Sequence, residues 1–303
     1  MKFNFYNQLK ECILSKFRKE MKLPKKMKPE IRKSLFRKAF QISADMNALD
    51  SSILLDEESW NNSDRTIFLV EDNSLLEMLN KSKFEIHVDD LKEFPETFQI
   101  AFPKDNPFKL TGCNVWFGNM LHRQKIADTI NKQLNLSLDL KGLENIHGLH
   151  VTYSNSKGSN SQFSRASIQE DLITSVLESP ERMLETVGRY ESNYAIPLNA
   201  EEMEYQHTMV KMVLFLMTYI KACPESVIDG FPDSVGKTKT IKNVTKKTLT
   251  MPKESGSKST HLRNAYFRQY PKRKDGTRKK GIVFVSSCLV NSKANPKTVR
   301  NKK

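Results

Sequence analysis

The sequence predicts an α+β fold: a small antiparallel sheet packed on a long buried helix, with a helical N-terminal region and a C-terminal basic β-hairpin. Three observations carry that prediction. Short apolar runs at 66–70, 84–88, 97–102, 114–117 and 149–153 have little helix between them, which favours antiparallel pairing over a doubly wound sheet. Residues 200–222 spread Met209, Val210, Met212, Val213, Leu214, Phe215, Leu216, Met217 and Ile220 over most of one helix, and a helix apolar nearly all round belongs in a core. Residues 258–291 carry two arms, about 260–270 and 281–290, around Asp275-Gly276, a dipeptide that accepts the positive φ angles of a tight turn.

From the start, Phe5, Leu9, Ile13, Leu14 and Phe17 recur at helical spacing over 3–20. After the basic link LPKKMKPE, a second amphipathic helix runs from 29 to 47. It has Ile31, Leu35, Phe36, Ala39, Phe40 and Ile42 inward and Arg32, Lys33, Arg37 and Lys38 outward. Residues 51–64 are polar and acidic and read as a loop. The strands listed above follow, with a helix at 73–81 built on Leu75, Leu76, Met78 and Leu79, and another at 123–133. SNSKGSNSQFS (154–164) reads as a Gly/Ser-rich mobile loop, and 166–177 and 180–189 as helices. Cys223-Pro224 ends the long helix, because proline cannot continue it. Residues 231–258 are Lys/Thr/Ser-rich without apolar periodicity and read as a flexible linker. The division expected is 1–48 basic helical, 49–230 acidic α+β core, 231–258 linker, and 259–303 hairpin arm and tail.

Charge follows the same blocks. Residues 1–40 hold 13 Lys and Arg against 3 acids, 41–230 hold 16 against 29, and 231–303 hold 20 against 3, for the overall +14. An acidic body with a basic arm at each end points to a polyanionic partner, RNA or a ribonucleoprotein. On the C-terminal arm, His261, Arg263, Arg268, Arg273, Lys274, Arg278 and Lys279 supply charge for phosphates. Tyr266 and Phe267 offer faces on which unpaired bases stack.

Four cysteines stand singly (Cys12, Cys113, Cys223, Cys288), which argues against a disulfide framework or a structural zinc cluster. MKFNFYNQLKE lacks the apolar core of a signal peptide, and 209–223 is too short to span a bilayer. A cytoplasmic protein without membrane partners is expected.

Catalytic chemistry is not legible. His147 and His150 are the one close histidine pair, but residues three apart on a strand point to opposite faces. Asp56-Glu57-Glu58 and Asp89-Asp90 read as solvated acids. GKTKT at 236–240 lacks both the GxxxxGK[ST] spacing and a preceding strand. No Ser/His/Asp or Cys/His set stands out, so no cofactor and no metal are expected.

The terminal hairpin resembles that of phage- and plasmid-borne proteins, a family that includes a type V-A anti-CRISPR inhibitor. In that family a His-x-Arg-Arg-Gly-His-Trp type arm, a basic turn and an apolar strand follow one another. Here His261-Leu262-Arg263-Asn264-Ala265-Tyr266-Phe267 stands for the arm, with Ile282-Val283-Phe284-Val285 and Leu289-Val290-Asn291 for the strand. FPETFQIAFP (94–103) is similar to the family's proline-preceded central strand, and 216–232, with its Cys-Pro and Gly-Phe-Pro, to the end of its long helix. The chain departs at Ala265-Tyr266-Phe267, where Gly-His-Trp is usual, and at Arg263-Asn264, where Arg-Arg is.

The resemblance implies a mobile-element inhibitor that binds a host protein or nascent peptide, such as a CRISPR nuclease, and lowers its mRNA. The alternatives are a metal-dependent nuclease using His147, His150 and neighbouring acids, or a DNA-binding regulator using the helix at 29–47.

Overall fold

A computed structural model describes residues 3–119, 147–182, 199–235, 243–251, 266–270 and 282–285, apart from 25, 47, 83–85, 87 and 156–161, together with 125, 128, 132 and 273. The chain begins with β1 (Phe3–Asn4), α1 (Leu9–Glu20), α2 (Pro29–Met46) and α3 (Ala48–Asn61). Then come β2 (Ile67–Val70), α4 (Asn73–Lys81), a short α5 (Val88–Leu91), β3 (Thr97–Pro103), β4 (Cys113–Asn119), β5 (His147–Asn155) and β6 (Gln162–Gln169). After α6 (Ile173–Glu178) and the long α7 (Ala200–Ala222), β7 (Val227–Asp229) and β8 (Lys246–Leu249) close the sheet, and β9 (Tyr266–Gln269) pairs with β10 (Ile282–Val285).

The sheet is neither small nor wholly antiparallel. Its strands run β6-β5-β4-β3-β2-β8-β7, with β1 added to β3 as an eighth. The β3–β6 part is an antiparallel meander, of which β3, β4 and β5 are strands the sequence predicts and β6 is not. By contrast, β2 lies parallel to both β3 and β8. The parallel pairs arise because α4 and α5 carry the chain from β2 back to the start of β3, and because β8 is supplied by the segment 231–258, expected as a linker. Lys246–Leu249 enters between β2 and β7, pairing Phe68 with Lys247 and Val70 with Leu249.

Three further expectations are corrected. Residues 51–64 are not a loop, since most of them form α3, whose Ile53, Leu54, Leu55 and Trp60 are buried. Residues 166–169 belong to β6 rather than to a helix, and β5 and β6 run into the predicted loop at both ends. Val88 opens α5 instead of closing a strand, while 83–85 and 87 lie outside the described residues. Of the predicted helix at 123–133 only 125, 128 and 132 are described, and they are helical, while most of 180–189 lies outside the described residues.

The two faces of the sheet differ in kind. One presents Phe68, Val70, Phe98, Ile100, Phe102, Cys113, Val115, Phe117, Leu149, Val151, Ala166 and Ile168, and α7 covers it as the long apolar stretch predicts. Asn199 caps α7: its side chain accepts from the Glu202 N–H (2.9 Å), and Glu202 accepts from the Asn199 N–H (3.1 Å). Met209, Val210, Val213, Leu214 and Leu216 are fully buried. Lys211, a cation in the middle of this stretch, reaches out to Asn80 (3.1 Å) and lies over the Phe215 ring. Burial lowers its pKa. α4 joins the same layer, with Asp72 accepting from the Ser74 N–H at its start.

The opposite face is largely polar, and the N-terminal helices cover it. β1 anchors them: Asn4 pairs with Phe102, and the backbone at Phe5 and Tyr6 passes over Gly112 so closely that a Cβ there would lie 2.3 Å from it. On α2, Leu35 is inward as predicted, but Ile31 is exposed.

Candidate functional site

Of the residues expected to contact nucleic acid, the structure places four. Tyr266, Phe267 and Arg268 lie on β9, and Arg273 stands beyond it. The other predicted contacts, His261, Arg263, Lys274, Arg278 and Lys279, lie outside the described residues. The hairpin itself is present, in the register Tyr266 with Val285, Phe267 with Phe284 and Arg268 with Val283.

Phe267 is a core residue rather than a stacking face. It is 1% exposed, its ring centroid is 5.2 Å from that of Tyr219 on α7, and its N–H donates to the Ser82 hydroxyl at 3.1 Å. With buried Ile282 it fastens the hairpin to α7 and the end of α4. Strand alternation then turns Arg268 outward, and both Arg268 and Arg273 are exposed.

A second cluster, not predicted, lies on the polar face. There Thr97, Gln99, Asn114, Trp116, His150, Thr152, Arg165 and Ser167 share one side of four strands. α3 lays Asp56 onto them. Its carboxylate is 3.3 Å from His150 Nδ1 and 3.6 Å from an Arg165 guanidinium nitrogen, and all three side chains are 1–3% exposed. The His150 ring lies on Trp116, centroids 4.7 Å apart, and Trp116 Nε1 donates to Glu96 at 3.1 Å. Among the described residues, Thr97 Oγ1, Asn114 Nδ2, Thr152 Oγ1 and Ser167 Oγ have no hydrogen-bond partner.

Next along α3, Glu57 faces the N-terminus of α1. It accepts from the Tyr6 hydroxyl (2.7 Å), the Leu9 N–H and the Lys10 N–H (3.1 Å). Burial pushes the Glu57 carboxyl up to about 7 although all three donors pull it down. Burial also raises the Tyr6 phenol, with Glu57 adding to the effect.

These acids are therefore not solvated. They fasten the α1–α3 layer to the sheet, and removing one partner of such a buried pair costs about 3–5 kcal/mol. His150 and Asp56 do resemble part of a catalytic relay. At 1% exposure, however, neither reaches a substrate while α3 is in place.

The expected opposition of His147 and His150 is seen. His147 lies at the surface, 3.6 Å from Glu170, on the other side of the strand. Asp89 is exposed and paired with Lys92 (3.3 Å). Among the described residues no group of three or more His, Cys, Asp and Glu side chains is placed to hold a metal ion, and no helix is long and apolar enough to cross a membrane. GKTKT at 236–240 lies outside the described residues.

Fold and geometry together define a mixed α/β protein with a buried polar layer and an arginine-bearing terminal hairpin. No family model, no curated protein and no solved structure matches the chain.

Proposed function

We propose that the protein is a cytoplasmic, anti-CRISPR-like inhibitor carried by a mobile element and directed at its host. Its acidic body binds a host protein or nascent peptide, and its C-terminal arm binds RNA, so that the target's mRNA or protein falls. One observation supports the RNA half most directly: the hairpin is fastened to the core through Phe267 and Ile282, while Arg268 and Arg273 stay exposed. Cations on a docked strand meet phosphates without first losing the freedom of a loose tail. The stacking role passes from Phe267 to Tyr266. The hairpin motif supports the inhibitor half, as does the segregation of charge between an acidic body and basic ends.

The test is a salt titration of binding to single-stranded RNA, comparing the full chain with Arg268→Glu/Arg273→Glu. Substitution is preferable to truncation, because a chain ending at Gly230 would lose β8 from the sheet. Log affinity should fall with log salt by about 0.7 for each phosphate neutralised, and the variant's slope should be shallower by roughly one to two such steps. Equal slopes and affinities would sink the RNA assignment. The host-protein half is tested by pull-down of a CRISPR nuclease nascent-chain complex, in which failure to co-purify refutes it.

A further inference from the structure

The N-terminal helices form a second cationic surface, separate from the C-terminal arm. α1 and α2 are joined by a turn, and the two helices and the turn enclose a cleft. Arg18, Lys26 and Arg32 line it together with Ser15, Leu14 and Met27, and Glu11 is the single acid. Glu11 is paired with Arg32, and that pair is about half exposed, so water already screens it. On the same two helices and their link, Lys16, Lys19, Lys22, Lys28 and Lys33 are exposed, against the exposed acids Glu20 and Glu30.

We propose that this cleft seats a backbone phosphate of a double-stranded nucleic acid, with the flanking lysines following neighbouring phosphates.

Two features decide between nucleic acid and an anionic lipid surface. An amphipathic helix enters a membrane through its apolar face. Here Leu9 and Leu35 turn those faces into the protein and Leu14, which lines the cleft, is only 3% exposed, leaving Met21 and Ile31 as the exposed large apolar side chains on the described part of the two helices and their flanks. Phosphates on a nucleic-acid backbone require no apolar insertion.

A third feature favours a duplex over a single strand. Among the described residues of α1 and α2, Phe17 and Phe36 are half-buried, and Phe36 lies beneath the Lys10 ammonium at 4.4 Å. A surface without an open aromatic face has no platform for unpaired bases, so what it reads is backbone. Recognition there is accordingly independent of sequence.

The experiment uses the full chain, fluorescence anisotropy, and a blunt-ended RNA duplex with no unpaired bases. Arg18→Glu/Lys26→Glu is compared with Lys81→Glu/Lys104→Glu, an equal charge change at exposed positions elsewhere, after both give the parent's circular dichroism spectrum. The cleft variant should lose about tenfold in affinity and reduce the salt slope by about 0.9 for each phosphate released, with the control within about twofold of the parent. Arg18→Lys/Lys26→Arg, which keeps the charge, should bind as the parent does. Equal losses in the cleft and control variants overturn the proposal, as does loss on the charge-conserving exchange. Binding to phosphatidylserine vesicles without binding to the duplex also overturns it, assigning the cleft to lipid headgroups. Loss confined to Arg268→Glu/Arg273→Glu places duplex contact on the arm and removes it from the cleft, leaving the arm's own assignment standing.

Discussion

At Glu57 two effects of opposite sign meet. Three donors favour the carboxylate, yet complete burial outweighs them and holds the group near neutrality, from an ordinary 4.5 up to about 7. The folded protein therefore binds a proton that the unfolded chain has released above pH 4.5. Its contribution to stability is complete below that pH and is lost as pH rises through 7. A shift of this size corresponds to roughly 3 kcal/mol. Urea midpoints measured between pH 5 and pH 8 should fall for the native chain and fall much less for Glu57→Gln, and parallel profiles would contradict the assignment. His207, lowered by burial, acts in the opposite direction but is common to both proteins. None of this was legible in the sequence. Asp56-Glu57-Glu58 looks like any solvated acidic run until its partners are known, and His150 is 94 residues away and Tyr6 51.

Among elements, legibility followed how local the cause was. α7 could be read because its apolar residues and its Pro224 stop lie within or beside the helix. Strands β3, β4 and β5 were readable for a similar reason, each carrying its own apolar pattern, whereas β6, with Ser-rich residues at its start, was not. β8 was not: Lys246-Lys247-Thr248-Leu249 is a strand because β2 and β7 offer it both edges, which no window of sequence reveals. The terminal hairpin lies between these cases, its strands visible and its docking hidden. Since Phe267 is the ring that docks it, Phe267→Ala should cost about 3–5 kcal/mol and release the arm. Limited proteolysis should then cut near Arg268 in the variant well before it cuts the parent, while equal cleavage rates would mean that the hairpin is held elsewhere.

At the scale of the molecule, β8 decides where the protein can be cut. The division expected from composition ends the core at 230, but the sheet continues to Leu249. A chain stopped at Gly230 leaves β7 without a neighbour and the β2 edge open. It should show no cooperative thermal transition and should aggregate in gel filtration. A monomer with the parent's melting profile would show that β8 is dispensable. The block of charge at the C-terminal end thus begins inside the folded body.

The unlike faces of the sheet carry a consequence for sidedness. A sheet apolar on both faces admits either helical layer on either side, and a strand slipped by one residue finds a similar environment. Here a one-residue slip would put His150 or Arg165 against α7 and a valine or isoleucine against Asp56. Swapping the two helical layers would strand both charges at once. The polar layer therefore excludes mirror and slipped arrangements that the apolar layer alone would tolerate. Its carboxylate, imidazole and guanidinium specify which way up the sheet is worn.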